Sequence, residues 1–267
     1  MNDRAHDSLA PEQMNTLADA LGDSPMTVIS CHYLRRGQCK AWTIGPPEAF
    51  HAAVVQWDEL PLEPEGFGEP EAMWGILRDV TGWDCVDVDP GSAGPLTALI
   101  ERDMGRPCKL YGDLHHVLHR PAREFPHPDV RLFGPEDIEV VNRALPAELG
   151  SPAKFAANVA WAVFAGAVAD GRIVAYAYTS ARTGGYANIG VETCEAFRNR
   201  GYCTAAASLV ARAAQQAGDV PVWSAGETNA ASLRVAEKLG FERIGQKTYV
   251  IKPKIARSEA NGHKGNP

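Results

Sequence analysis

The sequence has no long hydrophobic run, no excess of positive charge and no closely paired cysteines. No apolar stretch approaches the roughly 20 residues that a membrane-spanning helix needs, so we predict no membrane association. Acids outnumber lysine plus arginine by 33 to 26, which gives a net charge of −7. Because non-specific nucleic-acid binding needs a cationic surface, we predict no nucleic-acid partner. The polar first residues, Met1–Asp7, do not resemble a secretory signal, so we expect a cytoplasmic protein.

Cysteine and histidine placement gives no metal motif. The six cysteines fall in no C-x-x-C pair, which favours free thiols in a cytoplasmic chain. His115, His116 and His119 lie close together on a predicted strand, but neighbours on a strand face opposite sides. No acid or thiol partner is evident beside them, so we predict no metal.

The length suits two domains, and a proline-rich segment marks the boundary between them. Domains commonly contain about 100–150 residues, and the chain has 267. Three prolines lie between Arg120 and Pro128, where they discourage both helix and strand pairing. We predict an N-terminal α/β domain at 1–126, a second domain at 127–254 and a disordered tail at 255–267.

Periodicity and turn residues predict the elements of each domain. In the first domain they indicate a helix at 10–22, strands at 26–44 and 52–56, a loop at 59–68, a helix at 69–81, a strand at 85–88, a helix at 94–104 and a strand at 110–118. In the second they indicate a strand at 130–132, helices from 134 and at 151–161, strands at 162–168, 173–180 and 186–193, a helix at 201–217, a strand at 220–224, a helix at 229–239 and a strand at 242–251.

A basic, glycine-containing turn precedes the alanine-rich helix of the second domain. Gly201 permits a positive φ or a close approach of the backbone to a ligand. The first amides of the following helix lack partners within the helix, and the helix dipole favours an anion there. Arg198 and Arg200 add fixed positive charge. This combination describes a pyrophosphate site, although such a turn alone also fits ordinary helix capping.

A second pattern lies further along the chain, where a strand leads into a helix that begins at Asn229. Leu233, Ala236 and Leu239 share one face of this helix, and Gly240 ends it. Taken alone, Asn229 is an ordinary N-cap residue.

Together the two patterns resemble the acetyl-CoA-binding core of the Gcn5-related N-acetyltransferases (GNAT). The family signature Arg/Gln-x-x-Gly-x-Gly/Ala is read here as Arg198-x-x-Gly201-x-Cys203. The later pattern, an Asn that starts a helix ending in Leu-Gly-Phe, is read from Asn229 to Phe241. The resemblance covers about 128–254. It implies an α/β (α+β) fold: a mixed, splayed sheet flanked by helices, here preceded by a smaller α/β domain.

The resemblance also implies an N-acyltransferase whose donor is a pantetheine thioester. The donor is acetyl-CoA or an acyl group on a carrier protein, and no metal is needed. A strand would pair with the pantetheine arm, the turn amides would hold the pyrophosphate, and Asn229 would touch pantetheine or cap its helix. The residues predicted to bind the donor are Val191, Thr193, Arg198, Asn199, Arg200, Gly201, Tyr202, Cys203, Thr204, Asn229 and Ser232.

The catalytic groups depart from the family pattern. Many members carry a tyrosine as general acid seven residues after the Asn, and Ala236 stands there. Glu192 is the first candidate base and Glu227 the second, with Tyr249 and Tyr178 as candidate proton donors. Transfer by positioning alone is a third option. The missing tyrosine also motivates the alternative of a CoA-binding sensor without strong catalysis.

The N-terminal half is loosely similar to the leader half of two-part bacterial acetyltransferases, which include natural-product and self-resistance enzymes. That similarity predicts a small-molecule amine acceptor, such as a natural product or antibiotic, on the side that this half closes. An acidic stretch from Asp58 to Glu71 would attract a cationic amine, or is simply a solvated loop. The sequence leaves open a homodimer and an acyl carrier protein as partners.

Overall fold

The computed structural model describes residues 8–139 and 145–253, in which eleven strands and seven α-helices are placed. The helices are α1 Pro11–Leu21, α2 Val28–Arg36, α3 Pro70–Leu77, α4 Pro90–Met104, α5 Pro152–Val159, α6 Tyr202–Gln216 and α7 Ala230–Leu239. The strands are β1 Cys39–Ile44, β2 Ala52–Trp57, β3 Glu65–Gly68, β4 Cys85–Val88, β5 Lys109–Val117, β6 Val130–Phe133, β7 Phe164–Ala169, β8 Arg172–Thr183, β9 Tyr186–Thr193, β10 Val220–Gly226 and β11 Glu242–Ile251.

All eleven strands form one mixed sheet in the order β1-β2-β3-β4-β11-β5-β10-β9-β8-β7-β6. The mixed α/β class with a helix-flanked sheet, predicted from the sequence, is confirmed. β5 belongs to the first half of the chain but pairs antiparallel with β10 and β11 of the second half. β11 in turn pairs antiparallel with β4. Each half therefore contributes a strand to the other.

Two parallel strand pairs splay apart along the sheet. β3 and β4 are joined by the single pair Glu65 and Asp87. β9 and β10 are joined only at their first residues, from Tyr186 with Val220 to Asn188 with Val222. Beyond those pairs the strands diverge, so among the described strands residues 189–193 of β9 pair with β8 alone. The splay opens a gap at the end of β9.

Helices cover both faces of the sheet. α3 and α4 pack on the N-terminal strands through a core that includes Met73, Ile100 and Val86. On the C-terminal strands, α6 and α7 share a second core with Trp223. α2 lies across both halves on the other face, where Val28 contacts Val117 of β5 and strands β8 and β10. Among the described helices, none is both long and apolar enough to cross a membrane.

Two elements of the N-terminal half differ from the sequence prediction. Residues 28–36, predicted as strand, form α2, because Val28, Cys31 and Leu34 are buried at a helical spacing of three. Part of the predicted loop at 59–68 forms β3, which fits between β2 and β4. Gly66 makes this fit possible, since a Cβ there would lie 2.5 Å from the sulfur of Met73. The predicted tail lies outside the described residues.

Candidate donor-binding and active site

A cleft of about 450 Å³ lies at the splay, bounded by the end of β9, the turn after it and the starts of α6 and α7. All eleven predicted donor-binding residues line it. Additional lining residues, not nominated from the sequence as donor contacts, are Glu192, Phe197, Ala231, Arg234, Val235 and Lys238. A second depression, bordered by His119 and Gln215, lies at the far end of α6 and contains none of the predicted donor-binding residues.

The turn before α6 holds two residues in the left-handed region. Asn199 has φ 63° and Gly201 has φ 88°, conformations that asparagine and glycine adopt more readily than other residues. Gly201 is the N-cap of α6, and no side chain of the described residues caps this helix start. The first amides of α6 therefore face the cleft together with the positive end of the helix dipole.

Aromatic rings pack against two residues of this turn, Arg200 and Tyr202. The guanidinium carbon of Arg200 lies 4.9 Å from the ring centre of Phe197. The ring of Tyr202 lies 4.6 Å from that of His127, between centroids. The stacked cation and ring restrict the conformations of Arg200, which keeps its charge beside the cleft.

Two further cations reach the cleft from α7. Arg234 and Lys238 are exposed and four residues apart, so they lie on one face of the helix. Neither residue was predicted from the sequence to contact the donor, although their spacing of four on the helix that begins at Asn229 could have indicated it. With Arg198 and Arg200, they give the cleft four basic side chains, which suits a ligand that carries several phosphates.

Asn229 acts as a helix cap in this structure. Its Oδ1 accepts a hydrogen bond from the backbone N–H of Ser232 at 3.1 Å. The Oγ of Ser232 accepts a hydrogen bond from Nε1 of Trp223 at 3.0 Å. Both residues still border the cleft. Capping is thus observed, and contact with the donor stays a prediction.

Glu192 is the one candidate base that borders the cleft. It is exposed on β9 and lies opposite Tyr176 of β8. Burial raises the pKa of the neighbouring Tyr178 to about 12, and the charges of Glu59 and Glu192 add to this effect. Tyr178 therefore stays protonated near neutral pH, and it is not itself among the lining residues of the cleft. Glu59 comes from the N-terminal half, so both halves contribute charge around this phenol.

The other nominated catalytic residues lie elsewhere. Glu227 is exposed and accepts a hydrogen bond from the N–H of Gly112 at 2.9 Å, at the end of the β5–β10 pair. Tyr249 lies near the C-terminal end of β11, in register with Asp87. Neither is among the lining residues of the donor cleft. Ala236, at the position of the family tyrosine, is fully buried in the core between α7 and the sheet.

Cys203 occupies the third position of the signature and lines the cleft. Burial raises the pKa of its thiol to about 11, despite a hydrogen bond with Thr193 that acts in the opposite direction. Because the thiolate is the nucleophilic form, this thiol is a poor nucleophile at neutral pH. The raised thiol pKa argues against an acyl-cysteine intermediate and for direct transfer.

Comparisons with known proteins agree with this geometry. Residues 137–251 match the sequence model of the GNAT acetyltransferase family. A GCN5-related N-acetyltransferase-like protein from Streptococcus suis has a similar structure at 19% identity, with a TM-score of 0.66 and coverage of 90% of this chain and 98% of that one. A comparison with curated proteins gave no match.

Two other solved structures match nearly the whole chain. A Drosophila protein is 13% identical, with a TM-score of 0.66 and coverage of 93% of this chain and 98% of the other. A tandem GNAT protein from the clavulanic acid biosynthesis pathway is 18% identical, with a TM-score of 0.57 and coverage of 93% and 99%. At these identities the likeness shows the fold, and it extends over both halves. Residues 137–251 therefore form a GNAT acetyltransferase domain, within a chain whose whole fold resembles that of a tandem GNAT protein.

Proposed function

We propose that the protein transfers an acetyl or other short acyl group from acetyl-CoA to an amine of a small molecule. The observation that carries this proposal is the cleft itself. It unites the open edge of β9, the amides that begin α6 and four basic side chains. Backbone edges bind pantetheine amides, and helix starts with cations bind phosphates.

The basic residues of α7 favour CoA over a carrier protein as donor. CoA carries a pyrophosphate and a 3′-phosphate, whereas a carrier-bound pantetheine carries a single phosphodiester. Arg234 and Lys238 extend the positive charge of the cleft beyond the turn at Gly201, which suits the longer, more highly charged ligand. An acyl carrier protein remains the second donor in this proposal.

The acceptor is proposed to be a cationic amine held between the halves. Glu59 and Glu192 both act electrostatically on Tyr178, so the region beside the cleft attracts positive charge. The ammonium group loses one proton to Glu192, and the resulting amine attacks the thioester carbon. Tyr178 protonates the thiolate that leaves as the C–S bond breaks, and the acylated nitrogen returns its remaining extra proton to Tyr178. A natural-product amine in the cytoplasm fits this chemistry, and the structural likeness to a clavulanic acid pathway protein supports it.

The donor site is tested by paired substitutions at Gly201. Gly201→Asp and Gly201→Asn place side chains of nearly equal size where φ is 88°, so both variants carry a similar backbone strain. Only aspartate adds negative charge beside the phosphates. We expect the aspartate variant to bind acetyl-CoA at least about tenfold more weakly than the asparagine variant, by isothermal titration calorimetry. Equal affinities would refute the phosphate site.

The choice between CoA and a shorter donor is tested on α7. In Arg234→Gln/Lys238→Gln, we expect the Kd for acetyl-CoA to rise at least about tenfold while that for acetyl-pantetheine is unchanged. Arg243→Gln, an exposed change on β11, is the matched control and should change neither. An equal loss for both ligands would point to a role of these residues in folding.

Catalysis is tested by CoA release across a panel of amines, with Glu192→Gln as the test variant. Loss of a general base typically costs about 10²–10⁴ in kcat, while acetyl-CoA binding should persist. Binding without turnover for any amine would favour the alternative, a CoA-responsive sensor. Full activity in Glu192→Gln would favour catalysis by positioning alone.

A further inference from the structure

Three side chains of types that can ligate a metal lie together outside the donor cleft. They lie on β4 and β5, the strands of the N-terminal half that pair with β11 of the C-terminal half. Asp87 extends from β4, and Asp113 and His115 extend from β5. Their ligand atoms all lie within 4.8 Å of one another. The strands β4 and β5 flank β11, and register pairs place Asp87 beside Tyr249 and Asp113 beside Lys247.

The three side chains are nearly inaccessible to solvent, and several of their polar atoms lack hydrogen-bond partners among the described residues. Asp87, Asp113 and His115 are only 4%, 6% and 4% exposed. Among the described residues, Oδ1 of Asp87 and both ring nitrogens of His115 have no hydrogen-bond partner. Buried polar atoms are rarely left in this condition, because each costs free energy without a partner. Two buried carboxylates so close together also repel unless a cation or a proton lies between them.

The lysine that is in register with Asp113 is engaged elsewhere. Lys247 of β11 is fully buried and forms an ion pair with Glu65 of β3. The ring nitrogen Nε2 of His115 lies 3.2 Å from Oδ2 of Asp113, without the geometry of a hydrogen bond. That separation matches the spacing of two ligands around one ion, since bonds of about 2.1 Å place neighbouring ligands about 3.0–3.4 Å apart.

We propose that Asp87, Asp113 and His115 bind one divalent transition-metal ion that clamps β11 between β4 and β5. Two carboxylates and an imidazole suit Zn²⁺ or Mn²⁺ better than Mg²⁺ or Ca²⁺, which prefer oxygen ligands alone. The role is structural, because none of the three residues lines the donor cleft. The sequence predicted no metal because no acid was recognised beside His115. Asp113 lies two residues before His115 on the same face of β5, and the fold brings Asp87 from β4.

The test begins with the full-length protein, stripped with a chelator and titrated with ZnCl₂, MnCl₂ or MgCl₂. We expect about one equivalent of Zn²⁺ or Mn²⁺ per chain by plasma mass spectrometry after desalting, and little Mg²⁺. At a hundredfold excess over Kd, the bound ion should raise Tm by about 5 °C or more, reversibly with EDTA. Absence of stoichiometric binding by the folded wild-type protein would overturn the proposal and leave a shared proton as the neutralising group.

Variants locate the ion. Asp87→Asn, Asp113→Asn and His115→Gln should each weaken Zn²⁺ binding at least about tenfold and remove the metal-dependent rise in Tm. Asp84→Asn and His119→Gln, exposed neighbours on the same segments, are matched controls and should bind like wild type. Circular dichroism of the metal-free variants identifies any that fail to fold. Wild-type affinity in a folded Asp113→Asn protein would contradict the site.

Discussion

At the scale of single residues, Cys203 stands where the GNAT signature has glycine or alanine. The signature calls for a small residue where the backbone approaches the donor, and cysteine is small enough to fit. Burial raises the pKa of its thiol to about 11, so the sulfur is protonated at working pH. The residue therefore contributes size and not reactivity.

This interpretation predicts that Cys203→Ala retains transfer activity. We expect kcat/KM within a factor of about three of wild type, because alanine also satisfies the signature and no covalent step is lost. Stopped assays of CoA release measure it, with Cys203→Leu as a bulky comparison that should weaken acetyl-CoA binding. A loss of a hundredfold or more in Cys203→Ala, with donor affinity intact, would indicate an acyl-cysteine intermediate.

At the scale of elements, a buried ion pair links β11 to β3 of the N-terminal half. The ammonium of Lys247 contacts Glu65, and the second carboxylate oxygen of Glu65 accepts a hydrogen bond from Ser30 of α2. Nε1 of Trp57 reaches the same hydroxyl at 3.4 Å. Burial lowers the pKa of Lys247, because charge is costly away from water. One network thus joins α2, β2, β3 and β11.

Removing one partner of this buried ion pair should lower the free energy of unfolding more than removing an exposed charge would. Lys247→Met leaves Glu65 buried without its cation, and we expect a loss of about 3–5 kcal/mol in the free energy of unfolding. Urea titration without added metal measures the loss. Lys40→Met, an exposed change on β1, should cost less than about 0.5 kcal/mol. If Glu65→Gln restores most of the stability of Lys247→Met, the loss comes from the unpaired charge.

At the scale of the whole molecule, the exchanged strands make the two halves depend on each other. We propose that the chain divides near residues 126 and 127 in sequence, while the halves fold as one unit. A separate C-terminal half would lack β5, which lies between β10 and β11. It would also expose Val222, which β5 and α2 cover.

Residues 127–253 expressed alone should therefore fail to fold. We expect a chain without cooperative thermal unfolding and with no measurable acetyl-CoA affinity, because an unpaired β10 and β11 expose apolar surface and strand edges. Co-expression with residues 1–126 should recover a 1:1 complex that binds the donor. A stable isolated C-terminal half with wild-type affinity would show that the exchange is dispensable.

The sequence by itself predicted which residues line the cleft proposed to bind the donor, because these residues belong to two short segments of the chain. The strand before the turn, the left-handed Gly201 and the helix starts at Tyr202 and Asn229 are set by neighbouring residues. All eleven predicted donor residues consequently line one cleft. Both splayed C-terminal strands, β9 and β10, were also predicted from their own residues.

Only the tertiary structure decided the features that depend on distant partners. α2 and β3 were mispredicted because their burial comes from strands elsewhere in the chain. The separation of Tyr249 from the cleft follows from strand order, which no local pattern specifies. Glu59 acts on Tyr178 although β2, which precedes Glu59, and β8 are not neighbours in the sheet, so no local pattern predicts their approach. Side chains far apart in sequence meet because β5 and β11 exchange between halves, and pairing over such separations is fixed by global packing.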